Sequence, residues 1–172
     1  MKSLHNTAAK LSAVFCLGLA AMGANAFELR GFRGVSWGEG AEALGASVVS
    51  HSEGDVACYQ RERENLLFGD TALNGVRYCF HQDHLVMVIL DAPVAPKALT
   101  AEFQRSYGRP DAQRGGAGSW GGKSSGTRAE VMTSGNSVAR LTIYSNKIEP
   151  ALAQRMQKLS PAELPSSVAA AY

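Results

Sequence analysis

Gly34-Val35-Ser36-Trp37-Gly38 has the spacing of a nucleophile elbow. In that motif a tight strand-to-helix turn exposes the serine and supplies an oxyanion donor. A small serine hydrolase would need a histidine beside Ser36, and His51, His81 and His84 are available. No spacing assigns one of them to Ser36, and few strands precede it to build a hydrolase sheet. A structural turn before a helix is the competing reading. His81-Gln82-Asp83-His84 offers two imidazoles and a carboxylate, donors that suit zinc or copper. On a hairpin turn the two histidines need not converge, and the spacing supplies no fourth ligand. A solvated turn explains the motif without a metal.

Gly121-Gly122-Lys123-Ser124 matches the end of a phosphate-binding loop, but Ala117 stands where the pattern needs its first glycine and no helix pattern follows. The glycine-rich segment 114–126 reads as a loop or hairpin beside a Trp120 strand, a place where a partner could bind. Glu62 and Glu64 alternate with Arg61 and Arg63, which suits charge neutralisation on a wet strand face better than a glycosidase pair. Trp37, Trp120, Phe32 and Phe68 read as core, since aromatic side chains bury large areas; a shared open face would instead make the two tryptophans an anchor for a partner. No complete catalytic set, cofactor site or metal site assembles from these spacings.

The compartment is read from the start of the chain. Lys2 and Lys10, the apolar run Leu11 to Met22, and Ala24-Asn25-Ala26 follow the order of a secretory signal peptide. The run is shorter than the ~20 residues of a spanning helix. Cleavage after residue 26 takes both lysines with it, so the 17 basic residues fall to 15 and balance the 15 acidic ones. A neutral mature chain gives no electrostatic case for nucleic acid, and no membrane anchor is expected after processing. Cys16 follows Phe15 inside the apolar run, away from the position a lipidated cysteine requires. That leaves Cys58 and Cys79, an even pair in an oxidising compartment, for which a disulfide is the natural pairing.

The elements that position these residues divide the chain into a signal peptide over 1–26, one domain over 27–159 and a loose tail over 160–172. A first strand is predicted over Phe27 to Val35, a short helix over Glu39 to Ala46, and a polar connector from Ser47 to Asp55. Val56 to Arg63, Asn65 to Asp70, Val76 to Phe80 and Leu85 to Leu90 read as strands. The unbroken apolar run of the last predicts a central strand covered on both faces. Leu99, Phe103 and Tyr107 recur at helical spacing over Lys97 to Tyr107, closed by Gly108 and Pro110. Arg128 to Thr133 and Val138 to Tyr144 form a second hairpin, and Ile148 to Leu159 a second helix. The class is α+β: an antiparallel sheet with two main helices on one face, arranged as a helix-then-strands pseudo-repeat.

Taken in order, Phe32-Arg33-Gly34-Val35-Ser36-Trp37-Gly38, Phe68-Gly69, Tyr78-Cys79-Phe80, Tyr107-Gly108-Arg109-Pro110, Trp120 and Leu141-Thr142-Ile143-Tyr144-Ser145 cover most of the mature chain. The series resembles an uncharacterised family of exported bacterial proteins that pair an F-R-G-x-x-W-G start with a Y-G-x-P helix end. That resemblance implies export and a small helix-on-sheet fold, and brings no catalytic residues with it. The architecture is also similar to small periplasmic modules of the outer-membrane-assembly and β-lactamase-inhibitor type. The expected function is a non-enzymatic binding or interaction module of the envelope, taking an envelope protein or a small ligand. The alternatives are a serine hydrolase using Ser36 and a metal-binding protein using His81 and His84.

Overall fold

The computed structural model describes residues 27–122, 124–134 and 138–159. The signal peptide expected over 1–26 and the tail expected over 160–172 lie outside the described residues. Eight strands form one antiparallel sheet: β1 (Ser47–Glu53), β2 (Val56–Arg61), β3 (Gly75–His81), β4 (His84–Ala92), β5 (Ala112–Arg114), β6 (Ala117–Trp120), β7 (Thr127–Ser134) and β8 (Val138–Ser145). Their spatial order is β1-β2-β3-β4-β8-β7-β6-β5. Each half of the chain is thus a four-stranded meander, and the last strands of the two halves pair at the centre. Helix α1 (Pro96–Tyr107) precedes the second meander; a single 3-10 turn, Ala41–Leu44, precedes the first.

The central pair is apolar on both faces. Along β4, Val88 and Leu90 join one buried cluster while Met87 and Ile89 join another, as the two-residue period of a strand requires. The first cluster takes Leu99 and Phe103 of α1, Trp120 of β6, and Phe32, Val35 and Leu44 from the start of the domain. The second takes Ile148 together with Ala153 and Met156 of helix α2 (Pro150–Leu159). The α+β class and the two helices against an antiparallel sheet match the sequence reading. The helices, however, are divided between the two faces. Leu85 to Leu90 presents apolar side chains at both parities, and one helix cannot cover both.

Helix α1 begins at Pro96 and ends before Gly108, whose φ of 88° suits a residue without a Cβ. Leu99 and Phe103 are fully buried on its inner face, as their spacing predicts. Glu102, which stands off the Leu99–Phe103–Tyr107 stripe, is also buried.

Elsewhere, tertiary pairing overrides local pattern. The connector expected over Ser47 to Asp55 is mostly the edge strand β1, held by its ladder to β2 although Val48 and Val49 remain exposed. The expected first strand is cut short by the turn at Arg33 and Gly34, both at positive φ, leaving Gly31–Phe32 paired with Val35–Ser36. The helix expected over Glu39 to Ala46 shrinks to one turn because Gly40 and Gly45 bracket it and only Leu44 is buried. The strand expected over Asn65 to Asp70 is a small hairpin, Leu67–Phe68 with Thr71–Ala72. Of the two readings of the glycine-rich segment, the hairpin holds: β5 and β6 pair around Gly115 and Gly116, and Trp120 ends β6.

Cys58 and Cys79 stand directly opposite each other on β2 and β3, with Cα atoms 4.0 Å apart, and are bonded. Both are fully buried beneath α2. The far end of α2 is tied down by Arg140, which donates to Gln157 O at 3.3 Å and to the buried Asp91 carboxylate at 2.8 and 3.0 Å. Arg77 donates to the same carboxylate. Among the described residues, no helix is long and apolar enough to cross a membrane.

Candidate ligand cleft

Where the β1–β2 turn, the end of β3 and the start of α2 meet, the structure holds a cleft of about 600 Å³. That volume is in the range of small-molecule sites. Its apolar side is Val86, Ile148 and Leu152; its charged rim includes Asp55, Lys147 and Arg155. Local sequence explains the placement. Gly54, at φ 59°, makes the tight turn that presents Asp55. A register shift in the β3–β4 ladder falls beside Val86. Leu152 and Arg155 stand three residues apart on one side of α2, and Ile148 lies just before that helix.

The rim is organised around Asp55. His81 Nε2 donates to Asp55 Oδ2 at 2.7 Å, and Arg155 donates to Asp55 Oδ1 at 2.6 Å. These two donors, His81 first, hold the Asp55 carboxyl below its ordinary value, because both stabilise its charged form. The backbone supports the arrangement, with Gln82 N–H donating to Asp55 O at 2.9 Å. A charged pair oriented on an apolar wall can fix one polar end of a ligand. Lys147 and Glu149 on the rim are both exposed and available to a second charge.

His81 is therefore the one sequence-identified candidate that lines this cleft. Its neighbour His84 has a different role: its Nδ1 donates to Gly38 O at 2.9 Å. Between them Gln82 and Asp83 adopt φ of 51° and 61°, and Asp83 Oδ1 accepts from Ala41 N–H at 3.2 Å. The His81-Gln82-Asp83-His84 turn is thus an anchor for the first segment of the domain. Leu85 completes it, its N–H and C=O bonded to Glu39 O and Gly38 N at 2.8 and 2.9 Å. His81 and His84 thus have separate partners, and no group of three metal-ligating side chains occurs among the described residues.

Ser36 lies in the small hairpin opposite Gly31. Its N–H donates to Glu39 Oε2 at 2.7 Å, and no histidine is hydrogen-bonded to its hydroxyl among the described residues. The surrounding motif is a scaffold: Trp37 Nε1 donates to Leu29 O at 2.6 Å and its ring packs on the core. Trp120 is buried, donating to Gly108 O at 2.9 Å, so the two tryptophans do not form an open anchor. Gly121 N–H, which a phosphate loop would present to its ligand, donates to Asp111 Oδ2 at 2.7 Å. Lys123 lies outside the described residues.

The carboxylates expected on a wet face also separate. β2 ends at Arg61; Glu62 is exposed, whereas Glu64 turns inward with its side chain 7% exposed. Glu64 accepts from Arg33 at 2.6 Å and from the Tyr78 hydroxyl at 2.9 Å. Burial, then the Glu64 charge, hold that hydroxyl in its protonated form. Asp55 and Arg155 escaped the sequence reading, since only the turn and the helix packing bring them together. The available signal was Arg155 continuing the line of Ile148 and Leu152. Compared with protein-family models, with curated proteins and with solved structures, the chain matches none.

Proposed function

We propose that the protein is a non-enzymatic binding module of the bacterial envelope, exported by its leader, and that it takes a small amphipathic ligand in the cleft between α2 and the β3–β4 hairpin. The observation that carries this reading is the pairing of an apolar wall, Val86, Ile148 and Leu152, with a rim organised by the Asp55–His81–Arg155 contacts. The residues lining it include no serine, threonine or cysteine to act as a nucleophile. A buried disulfide supports an oxidising compartment.

The test uses the chain purified after export, with its methyl groups labelled for NMR. Octanoate and octylamine, which share one tail and differ in charge, are each titrated to millimolar concentration. At least one should shift the Val86, Ile148 and Leu152 methyl signals and leave the α1 face unchanged, and Leu152→Asp should remove the response. Unchanged spectra with both compounds, or shifts spread across the sheet, overturn the assignment of this cleft.

A further inference from the structure

The two edges of the sheet are finished differently. β5, Ala112–Arg114, ends in an exposed arginine and follows closely on Arg109 and Pro110; charged and proline-flanked edges resist strand addition. β1 has seven residues, and Ser47 to Ser50 carry neither charge nor proline. Val48 and Val49 are 50% and 57% exposed, and as neighbours on a strand they point to opposite faces. The ladder to β2 is regular over Ser47 to Val49 and shifts register before His51, where Ser50 Oγ donates to Cys58 O at 2.9 Å. The stretch open to pairing is therefore Ser47 to Val49.

Immediately before that stretch lies a pocket of about 480 Å³, lined by Leu44, Ala46, Arg61, Glu62 and Arg63. Glu62 N–H donates to Ala46 O at 3.1 Å and fixes one side. Arg61 is committed inward, donating to Arg33 O at 3.1 Å with its guanidinium 4.9 Å from the Tyr78 ring centre. Arg63 is exposed and makes no ion pair among the described residues. With two arginines against Glu62, the pocket carries an excess positive charge.

We propose that β1 accepts an added strand from a partner protein, an extended segment whose acidic side chain enters the Arg63 pocket as the segment passes Ala46. The edge calls for an extended backbone, because only that geometry pairs a row of free peptide groups. The pocket calls for a negative charge. A second copy of β1 meets the first demand and not the second: antiparallel pairing centred on Val48 sets Ser50 opposite Ala46, and the register that would set Glu53 opposite Ala46 pairs Ser47 to Val49 with Ser50 to Ser52, across the irregularity at Ser50. The proposal is independent of the α2 cleft, which lies at the other end of β2.

Two acetylated peptides of alternating valine and threonine, one ending in two aspartates and the other in two asparagines, provide the probe. Titrated into the nitrogen-labelled full chain after export, the aspartate peptide should shift and slow the exchange of amides over residues 47–50. It should bind about threefold more tightly than the asparagine peptide at low salt, the scale of one exposed ion pair. Arg63→Gln should erase that difference, and Val48→Lys with Val49→Lys should abolish binding by both at an unchanged melting temperature. Equal binding of the two peptides, shifts away from β1, or no binding overturns the proposal. So does sedimentation of the free chain as a dimer with β1 amides already protected, which would assign the edge to a second copy.

Discussion

Phe103 is where the first buried cluster is most concentrated. Its ring lies 4.5 to 6.0 Å from those of Tyr107, Trp120, Phe27 and Phe68, and the side chain is fully buried. Phe103→Ala should lower stability by about 3–5 kcal/mol, read from chemical denaturation. The 99, 103, 107 spacing made this residue legible in the sequence. Its neighbour Glu102 was not legible, because its burial depends on a turn 33 positions earlier in the chain. Gly69, at φ 56°, leaves room for the Glu102 carboxylate: a Cβ there would stand 1.8 Å from Oε1. Arg105 donates to that carboxylate and to Asp70 at 3.0 Å. Arg105 therefore matters more than a wet-face position would suggest. Arg105→Ala should cost about 1–3 kcal/mol, the penalty for a buried acceptor left without its donor. Adding Glu102→Gln should recover part of that loss; an unchanged melting temperature for Arg105→Ala would refute the pairing.

Helix α2 is attached by three different devices: the buried contacts of Ala153 and Met156, the Arg140 bond to Gln157 O, and the ion pair at Asp55. The last gives a pH signature. Because the folded Asp55 carboxyl is held below its ordinary value of 3.8, its contribution is fully present above that value. It is lost as the pH falls through the lower folded-state value. Asp55→Asn should lower the melting temperature slightly at neutral pH, and the two curves should draw together once the pH falls below 3.8 and meet below the folded-state value. A difference that persists there would exclude the carboxylate charge as its cause. Beneath the same helix, the disulfide closes a loop between residues 21 apart. Replacing both cysteines with alanine should cost about 3 kcal/mol on the chain-entropy model. The pairing itself was legible because only two cysteines, Cys58 and Cys79, follow residue 26. Which helix would cover it was not, since α2 could be placed only once the parities of Met87 and Ile89 were known.

At the level of the whole molecule, the seam between the two meanders matches β4 residues Met87 to Ala92 with β8 residues Tyr144 to Ala139. The sequence disclosed both seam strands, the first as an apolar run and the second as one arm of a hairpin, and the helix that precedes the second meander. Their partnership joins segments about fifty positions apart and left no local trace. It has a direct consequence for dissection. A fragment ending at Val94 exposes β4 along its whole inner edge, and a fragment beginning at Ala95 does the same for β8. Neither should show a cooperative unfolding transition alone. Mixed in equal amounts, they should regain one, because each supplies the other's missing neighbour. A cooperative transition in either isolated fragment would show that the seam is not essential to folding.

The same seam sets a clock on the birth of the molecule. A chain that emerges from its amino end delivers the outermost strand first and the last member of the central pair only when Ser145 appears. For more than fifty residues of synthesis, β4 waits with a bare, apolar flank, the kind of surface that captures stray strands. The hazard for this protein therefore lies before completion. An aggregation screen of nascent chains arrested at successive lengths should show its peak between Ala92 and Val138 and its disappearance once residue 145 is free.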